Sequence, residues 1–229
     1  MPRAMLKKLL VEGDEEKRVI PYFMDEHFVW GDTKEEWVVM IEEFDGVENL
    51  LKPGVIEAES KVPGLLALGV IIDADDQLES QWLRVRDRFR RVDRDFPENL
   101  PPEGLIHKSS GGVRMGVWIM PDNRSRGMLE TFLGMLMEPD RQAMWSFAQS
   151  SCLQAKDHGA LYKEVHRDKA CIHTYLAWLD PPGHSLHVSI LARALDSRLP
   201  LGILFVQWFM DLFQLTPRDT PLPEKIKLA

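Results

Sequence analysis

The sequence predicts an α/β domain: a parallel sheet covered by helices on both faces, followed by a helical C-terminal third. Three observations carry that expectation. Strand-like apolar runs alternate with helical patterns through the first part of the chain. The run Leu65-Leu66-Ala67-Leu68-Gly69-Val70-Ile71-Ile72 is apolar almost without a break, as a strand buried on both faces must be. From Gly127 onward only helical patterns follow.

Taken in order, Leu6, Leu9, Leu10 and Val11 form a first strand that stops at Glu12-Gly13. A helix is expected from Asp14 to about Phe28. Asp14, Glu15 and Glu16 complement the exposed N–H groups of its first turn, and Pro21 bends or restarts it. A second β–α unit reads as a strand over Trp37 to Ile41 and a helix over Val47 to Ser60. After Pro63-Gly64 comes the buried strand, which ends abruptly at Asp73-Ala74-Asp75-Asp76. Trp82, Val85, Phe89 and Val92 then recur at spacings of three and four, so a helix over Ser80 to Val92 has one apolar face. Arg84, Arg88 and Arg91 fall mostly off that face and make the solvated side basic; they are expected to help bind nucleic acid by holding its phosphate backbone, unless they simply pair with the interspersed Asp87, Asp93 and Asp95. A fourth strand runs from Val113 to Met120 and ends at Pro121-Asp122-Asn123. Helices are expected over Met128 to Met137, Arg141 to Lys156, Ala160 to Leu179 and Ile203 to Phe213. The whole reads as one domain over 1–215, with a core of about 5–137, a helical extension over 138–215, and a loosely packed tail over 216–229.

Composition narrows the function classes. Hydrophobic residues at 45% and charged residues at 28% exclude a disordered or fibrous chain. Cys152 and Cys171 are too few for a disulfide scaffold or a four-thiolate zinc site. The N-terminus reads as neither a signal peptide nor a spanning helix. Leu199 to Phe213, interrupted by Pro200, Gln207 and Asp211, is too short to span a bilayer, so a cytoplasmic protein with no membrane partner is expected. A net charge of −8, from 28 Lys and Arg against 36 Asp and Glu, argues against coating nucleic acid by bulk electrostatics. It leaves room for a nuclease, because bound divalent cations reverse the local charge of an acidic site.

In an open α/β sheet ligands bind beyond the carboxyl ends of the strands. Three strands here end in acid, at Glu12, at Asp73 and Asp75, and at Asp122, with Glu16 one helical turn past Glu12. Such a set is a hard-oxygen site suited to Mg²⁺ or Mn²⁺ rather than zinc. Acids also end strands and cap helices for structural reasons alone. The Asp-x-Asp after a long buried strand is harder to explain that way, since its like charges repel.

Glu12-Gly13 after the first strand, with Asp73-x-Asp75 roughly sixty residues on, resembles the Toprim domain of topoisomerases, primases and the overcoming-lysogenization-defect nucleases. The segments Leu10 to Gly13, Val70 to Asp75, Trp118 to Asn123, Gly127 to Glu130 and His166 to Ala170 are similar to the stand-alone Toprim-like family DUF3226. The resemblance covers about residues 5 to 215 and implies a Toprim-like, Rossmann-like fold. It also implies an acid cluster that binds Mg²⁺ and makes or breaks phosphodiester bonds. Glu12 then takes an acid/base or metal role, Asp73 and Asp75 are the metal pair, and Glu16 and Asp122 are further acids. Lys169 resembles a late lysine that neutralises charge on phosphate. The implied partners are DNA or RNA, a homodimer, and a separate ATPase subunit in defence against mobile DNA; the chain itself carries no phosphate-binding P-loop. No tyrosine has a topoisomerase context, and no helicase or zinc segment points to a primase.

Two other readings compete. A Toprim-like module that holds nucleic acid or protein without catalysis fits the acidic balance. A haloacid-dehalogenase-type phosphatase also uses Asp-x-Asp, but its motif follows the first strand and continues into Thr or Val, unlike Asp73-Ala74-Asp75-Asp76-Gln77. Cys171-Ile172-His173 with His166 lacks zinc-ligand spacing and reads as helix packing. His184 and His187 read as a surface loop after Pro181-Pro182-Gly183, Ser109 to Gly112 as a loop rather than a phosphate cradle, and Trp118, Trp145, Trp178 and Trp208 as core.

Overall fold

The computed structural model describes residues 6–31, 33, 36–191 and 195–218. Strand β1 (Leu6–Val11) leads into α1 (Asp14–Asp25), β2 (Met40–Glu43), the short helices α2 (Val47–Leu50) and α3 (Val55–Glu59), and β3 (Leu65–Asp73). Next come α4 (Leu78–Val92), β4 (Leu105–Lys108) and β5 (Arg114–Met120). Helices α5 (Leu129–Gly134), α6 (Gln142–Asp157), α7 (Arg167–Leu176), α8 (Leu186–Leu191) and α9 (Pro200–Phe213) complete the order, with 3₁₀ turns at Pro139–Arg141 and Glu164–His166. The sheet order is β2-β1-β3-β5-β4, parallel throughout except for β4.

β3 sits in the middle of the sheet, which accounts for its unbroken apolar sequence. Its alternate residues enter two separate cores: Ala67 and Ile71 on one side, Leu68, Val70 and Ile72 on the other. The first face is covered by α1 and α5 through α9, the second by α2, α3 and α4. Helix α4 buries Trp82, Val85 and Phe89, the stripe its periodicity marks. Because β1, β3 and β5 run parallel, Glu12, Asp73 and the start of the post-β5 turn all emerge at one edge.

α9 is seated unusually close to the sheet. Gly69 and Gly116 are direct neighbours on β3 and β5, and they leave a notch on the α9 face. A Cβ on Gly116 would stand 2.5 Å from a Leu212 methyl, and one on Gly69 3.0 Å from Leu212 and Phe213. Only glycine at both positions lets Leu212 and Phe213 reach their fully buried places.

At the other end of α4, Asp93 is buried and its carboxylate accepts from the Asp95 N–H (3.0 Å), the Ser110 N–H (2.8 Å) and His107 Nε2 (3.3 Å). These bonds tie the β4–β5 turn to the end of α4. Ser109 to Gly112 is that hairpin turn. Its Ser109 and Gly112 amides donate to the Val113 and Ser109 carbonyls, so the segment is not a phosphate cradle.

Several expectations are corrected in detail. The helix expected over Val47 to Ser60 is broken into α2 and α3 at Pro53-Gly54, where Gly54 takes a positive φ. Pro21 lies inside an uninterrupted α1 and is buried. The second strand begins at Met40 rather than Trp37, and the helix expected over Ala160 to Leu179 spans only Arg167–Leu176 after a 3₁₀ turn. β4 is an antiparallel edge strand beyond the four strands expected; its four residues give too short a pattern to mark it. His187 lies on α8, stacked on Tyr22 at 5.2 Å, so the loop reading fails for it, whereas His184 does lie in the loop before α8, half-buried. Trp178 is 41% exposed and stacks on the exposed Phe147, whereas Trp118, Trp145 and Trp208 are core. The expected tail is described only to Arg218, whose guanidinium is held by Asp25 at 2.6 Å; residues 219–229 lie outside the described part.

Candidate functional site

The carboxyl edge of β1 and β3 opens into a cleft of about 690 Å³ whose walls are mainly carboxylates: Glu12, Glu16, Asp73, Asp75 and Glu130, with Lys169 and His166 opposite. Each arrives for a local reason. Glu12 follows the last residue of β1, and its carboxylate accepts from the Asp73 N–H at 3.3 Å. Glu16 is in the first turn of α1 and reaches back to the Gly13 N–H at 3.0 Å, so it also caps that helix. Asp73 ends β3 and accepts from the Leu129 N–H, at the start of α5, at 3.0 Å.

Asp75 adopts a left-handed backbone, φ 50, which Asp tolerates better than most residues. Two mutual bonds with Gly127, N–H to C=O at 2.8 Å in each direction, hold it there. A non-glycine residue kept in this region by its surroundings is the kind of local cost found at functional sites.

The cluster is electrically loaded. Burial, followed by Glu16, Glu12, Glu130 and Asp75, pushes the Asp73 carboxyl well above its ordinary range. Glu16 is raised to about 7, first by burial, with Glu12 and Glu130 adding to it. Burial also raises Glu12, against the pull of the Asp73 amide, and raises Asp75, where Asp76 adds and His166 opposes. Glu130 is 3% exposed and lies 3.0 Å from the Lys169 ammonium. Burial pulls that ammonium down, but Glu130, Glu15 and Glu16 outweigh it and hold it raised. Beside this pair the Thr131 hydroxyl donates to Asp168 at 2.6 Å, a second tie between α5 and α7.

Of the sequence-derived candidates, Glu12, Glu16, Asp73, Asp75 and Lys169 line one cleft. Asp122 does not line it. Its carboxylate instead accepts from the Arg124 and Ser125 amides at 3.0 and 2.7 Å and closes the turn after β5. Arg84 pairs with Glu48 at 2.8 Å and Arg88 donates to the Leu51 carbonyl at 2.8 Å, so both brace α4 against the α2 region, while Arg91 is exposed. Sequence reasoning missed Glu130 and His166 as site residues. The signal for Glu130 was the one that marks Glu16: an acid in the first turn of a helix that follows a parallel strand.

The donor set is all hard oxygen, and its like charges call for a cation, so the residues fit Mg²⁺ or Mn²⁺ by chemistry. Among the described residues, no three His, Cys, Asp or Glu groups are drawn closely enough together to hold a metal ion as they stand. Glu12, Glu16 and Asp73 are engaged with backbone amides and Glu130 with Lys169, so loading requires side chains to turn toward a shared ion.

The comparisons with known proteins agree with the resemblance in the motifs. A family model described as a protein of unknown function (DUF3226) matches residues 6–214, and the chain belongs to that family. No curated protein and no solved structure matches it. No described helix is long and apolar enough to cross a membrane.

Proposed function

We propose that this member of the DUF3226 family is a divalent-metal-dependent phosphodiesterase that cleaves nucleic acid. The observation that carries the reading is the convergence of Glu12, Glu16, Asp73, Asp75 and Glu130, from three separate stretches of chain, on one cleft that also holds Lys169. A structural role needs no such gathering, since each unneutralised carboxylate raises the cost of its neighbours.

In this reading Glu12, Asp73 and Asp75 hold the metal, with Glu16 and Glu130 completing or tuning its surroundings. The bound ion would supply Lewis acidity toward the phosphoryl oxygens and a nucleophile from water. Lys169 offers its ammonium to a phosphate oxygen, and Glu130 keeps that ammonium charged and aimed into the cleft. Glu16, raised to about 7, is poised to accept or release a proton near neutral pH. Gly127 fixes the backbone of Asp75, so the carboxylate is presented at little entropic cost.

The engaged oxygens favour one second reading, a binding module that holds nucleic acid without cutting it. The two are separated by incubating the protein with plasmid, linear DNA, single strands and tRNA in Mg²⁺ or Mn²⁺, beside Asp73→Ala. Metal-dependent cleavage lost in the variant supports the nuclease. Binding without cleavage in either metal overturns it in favour of the module.

A further inference from the structure

A second hollow, of about 470 Å³, adjoins the cleft and is lined by α1 together with Trp30, Gly31 and Trp37. Lys17, Arg18, Pro21 and Tyr22 form one stripe of α1 along it, and Trp30 and Trp37 face them. Asp14 lines both hollow and cleft, and Lys17 is ion-paired with Glu43, another cleft residue. The two cavities are therefore neighbours that share Asp14 in their walls.

Their electrostatics are opposite. In the hollow the charges cancel in pairs: Lys17 with Glu43, Arg18 with Asp14 at 2.6 Å, and Arg218 with Asp25 at 2.6 Å. What remains is aromatic. Tyr22 is 39% exposed, with one ring face braced by His187. Trp37 is half-buried and set edge-on to Trp30 at 5.8 Å. The indole N–H of Trp30, a residue only 2% exposed, has no acceptor among the described residues, and an unpaired buried donor is costly.

We propose that this groove receives the base of a nucleotide flanking the phosphate held in the cleft, so that the substrate strand is single or frayed there. The inference deepens the nuclease reading and rests on it. A cancelled charge field offers little to a phosphate but suits a neutral planar ring with polar edges. The volume suffices for a nucleotide-sized group. A base inside a duplex would first have to leave its stack, which selects for unpaired strands.

The probes are oligo(dT) and oligo(U), their phosphorothioate forms for anisotropy, and the same strands carrying abasic sites, all in Mg²⁺ and again in Mn²⁺. Tyr22→Ala should raise KM and Kd for the base-bearing strand roughly fivefold or more with kcat unchanged, and Tyr22→Phe should restore both. Trp37→Ala should behave like Tyr22→Ala, and the abasic strand should bind wild type and Tyr22→Ala equally. Tyr22 is exposed enough that its variants should melt with the wild type. Cleavage that proceeds with KM and Kd unmoved in Tyr22→Ala and Trp37→Ala, or an abasic strand bound as tightly as the normal one, overturns the groove and leaves the nuclease standing. A wild type that neither cleaves nor binds either strand overturns both.

Discussion

At the two ends of α4 the chain buries carboxylates on opposite terms. Asp93, at the C-terminal end, is saturated by two amides and His107. The Ser110 amide first and the Asp95 amide next hold its carboxyl below the usual carboxylate range, against the effect of burial. Just before the N-terminal end, burial and the crowding of Glu16, Glu12 and Glu130 push Asp73 the other way, and burial with Asp76 does the same to Asp75. The same side chain thus fastens a turn at one end and stores unneutralised charge at the other. Burial alone does not distinguish the two; the sign of the shift and the identity of the partners do.

The sharpest way to break this comparison is activity. Asp73→Ala should lower metal-dependent cleavage by at least about 10³-fold. Asp93→Ala, assayed well below its melting temperature, should stay within a few-fold of wild type. Full activity in Asp73→Ala would undo the functional half of the contrast. Stability should reverse the order: Asp93→Ala strands two amides and should cost about 2–4 kcal/mol in denaturant midpoint analysis, whereas Asp73→Ala relieves repulsion and should be neutral or slightly stabilising. A large loss in the Asp73 variant would make that residue a structural strut.

Metal should act at one end only. Saturating Mg²⁺ or Mn²⁺, at about 100 times Kd, should stabilise the wild type by about 2.7 kcal/mol, several degrees in Tm by calorimetry, and most of that response should vanish in Asp73→Ala but persist in Asp93→Asn. The apo protein should also show opposite pH slopes. Glu16 has a folded value of about 7 against an ordinary 4.5, so the folded state binds the extra proton and stability falls as pH rises between these values. Glu16→Gln should therefore be more stable than wild type above pH 7, the gap closing as pH falls toward 4.5. Asp93 is depressed below its ordinary 3.8, so its contribution is present above that value and lost as pH falls below it. Asp93→Asn should be less stable at neutral pH and approach wild type only in strong acid. Parallel slopes in urea titrations across pH would refute the contrast.

The smallest effect is expected from Arg84, Arg88 and Arg91. Since two of them brace α4, replacing all three by alanine should weaken nucleic-acid binding and flatten its salt dependence only modestly, by less than one unit per arginine. A fall of three units would mean that all three contact phosphate.

The strands that carry the site were legible because their signals are strong and local. A run of eight apolar residues ending in Asp73-Ala74-Asp75 fits little besides a central strand that opens onto a charged edge, and Glu12-Gly13 ends its strand as sharply. Glu16 came with the first turn of the helix after Glu12, whereas Lys169 came only from the family resemblance. Asp122 misled because an acid at a strand end satisfies turn amides as readily as a cation. Glu130 was overlooked because its partner Lys169 is thirty-nine positions away in a helix, a proximity that periodicity cannot express. β4, α8 and the break between α2 and α3 were missed for a related reason: elements of four to six residues are specified by packing more than by pattern.

The notch at Gly69 and Gly116 places the molecule's assembly in time. Chains are made from the N-terminus, so all five strands leave the ribosome before residues 200–213 exist to fill that notch. Until then the face carrying Trp118 lacks the cover that α9 gives it, and α5, whose Phe132 packs on Phe205 of α9 at 5.2 Å, lacks that contact. Glu130 rides on α5 and Lys169 is tied to it. A nascent chain therefore carries the carboxylates of β1 and β3 well before it has the cation that answers them, and the cleft becomes complete only when nearly the whole domain has been synthesised.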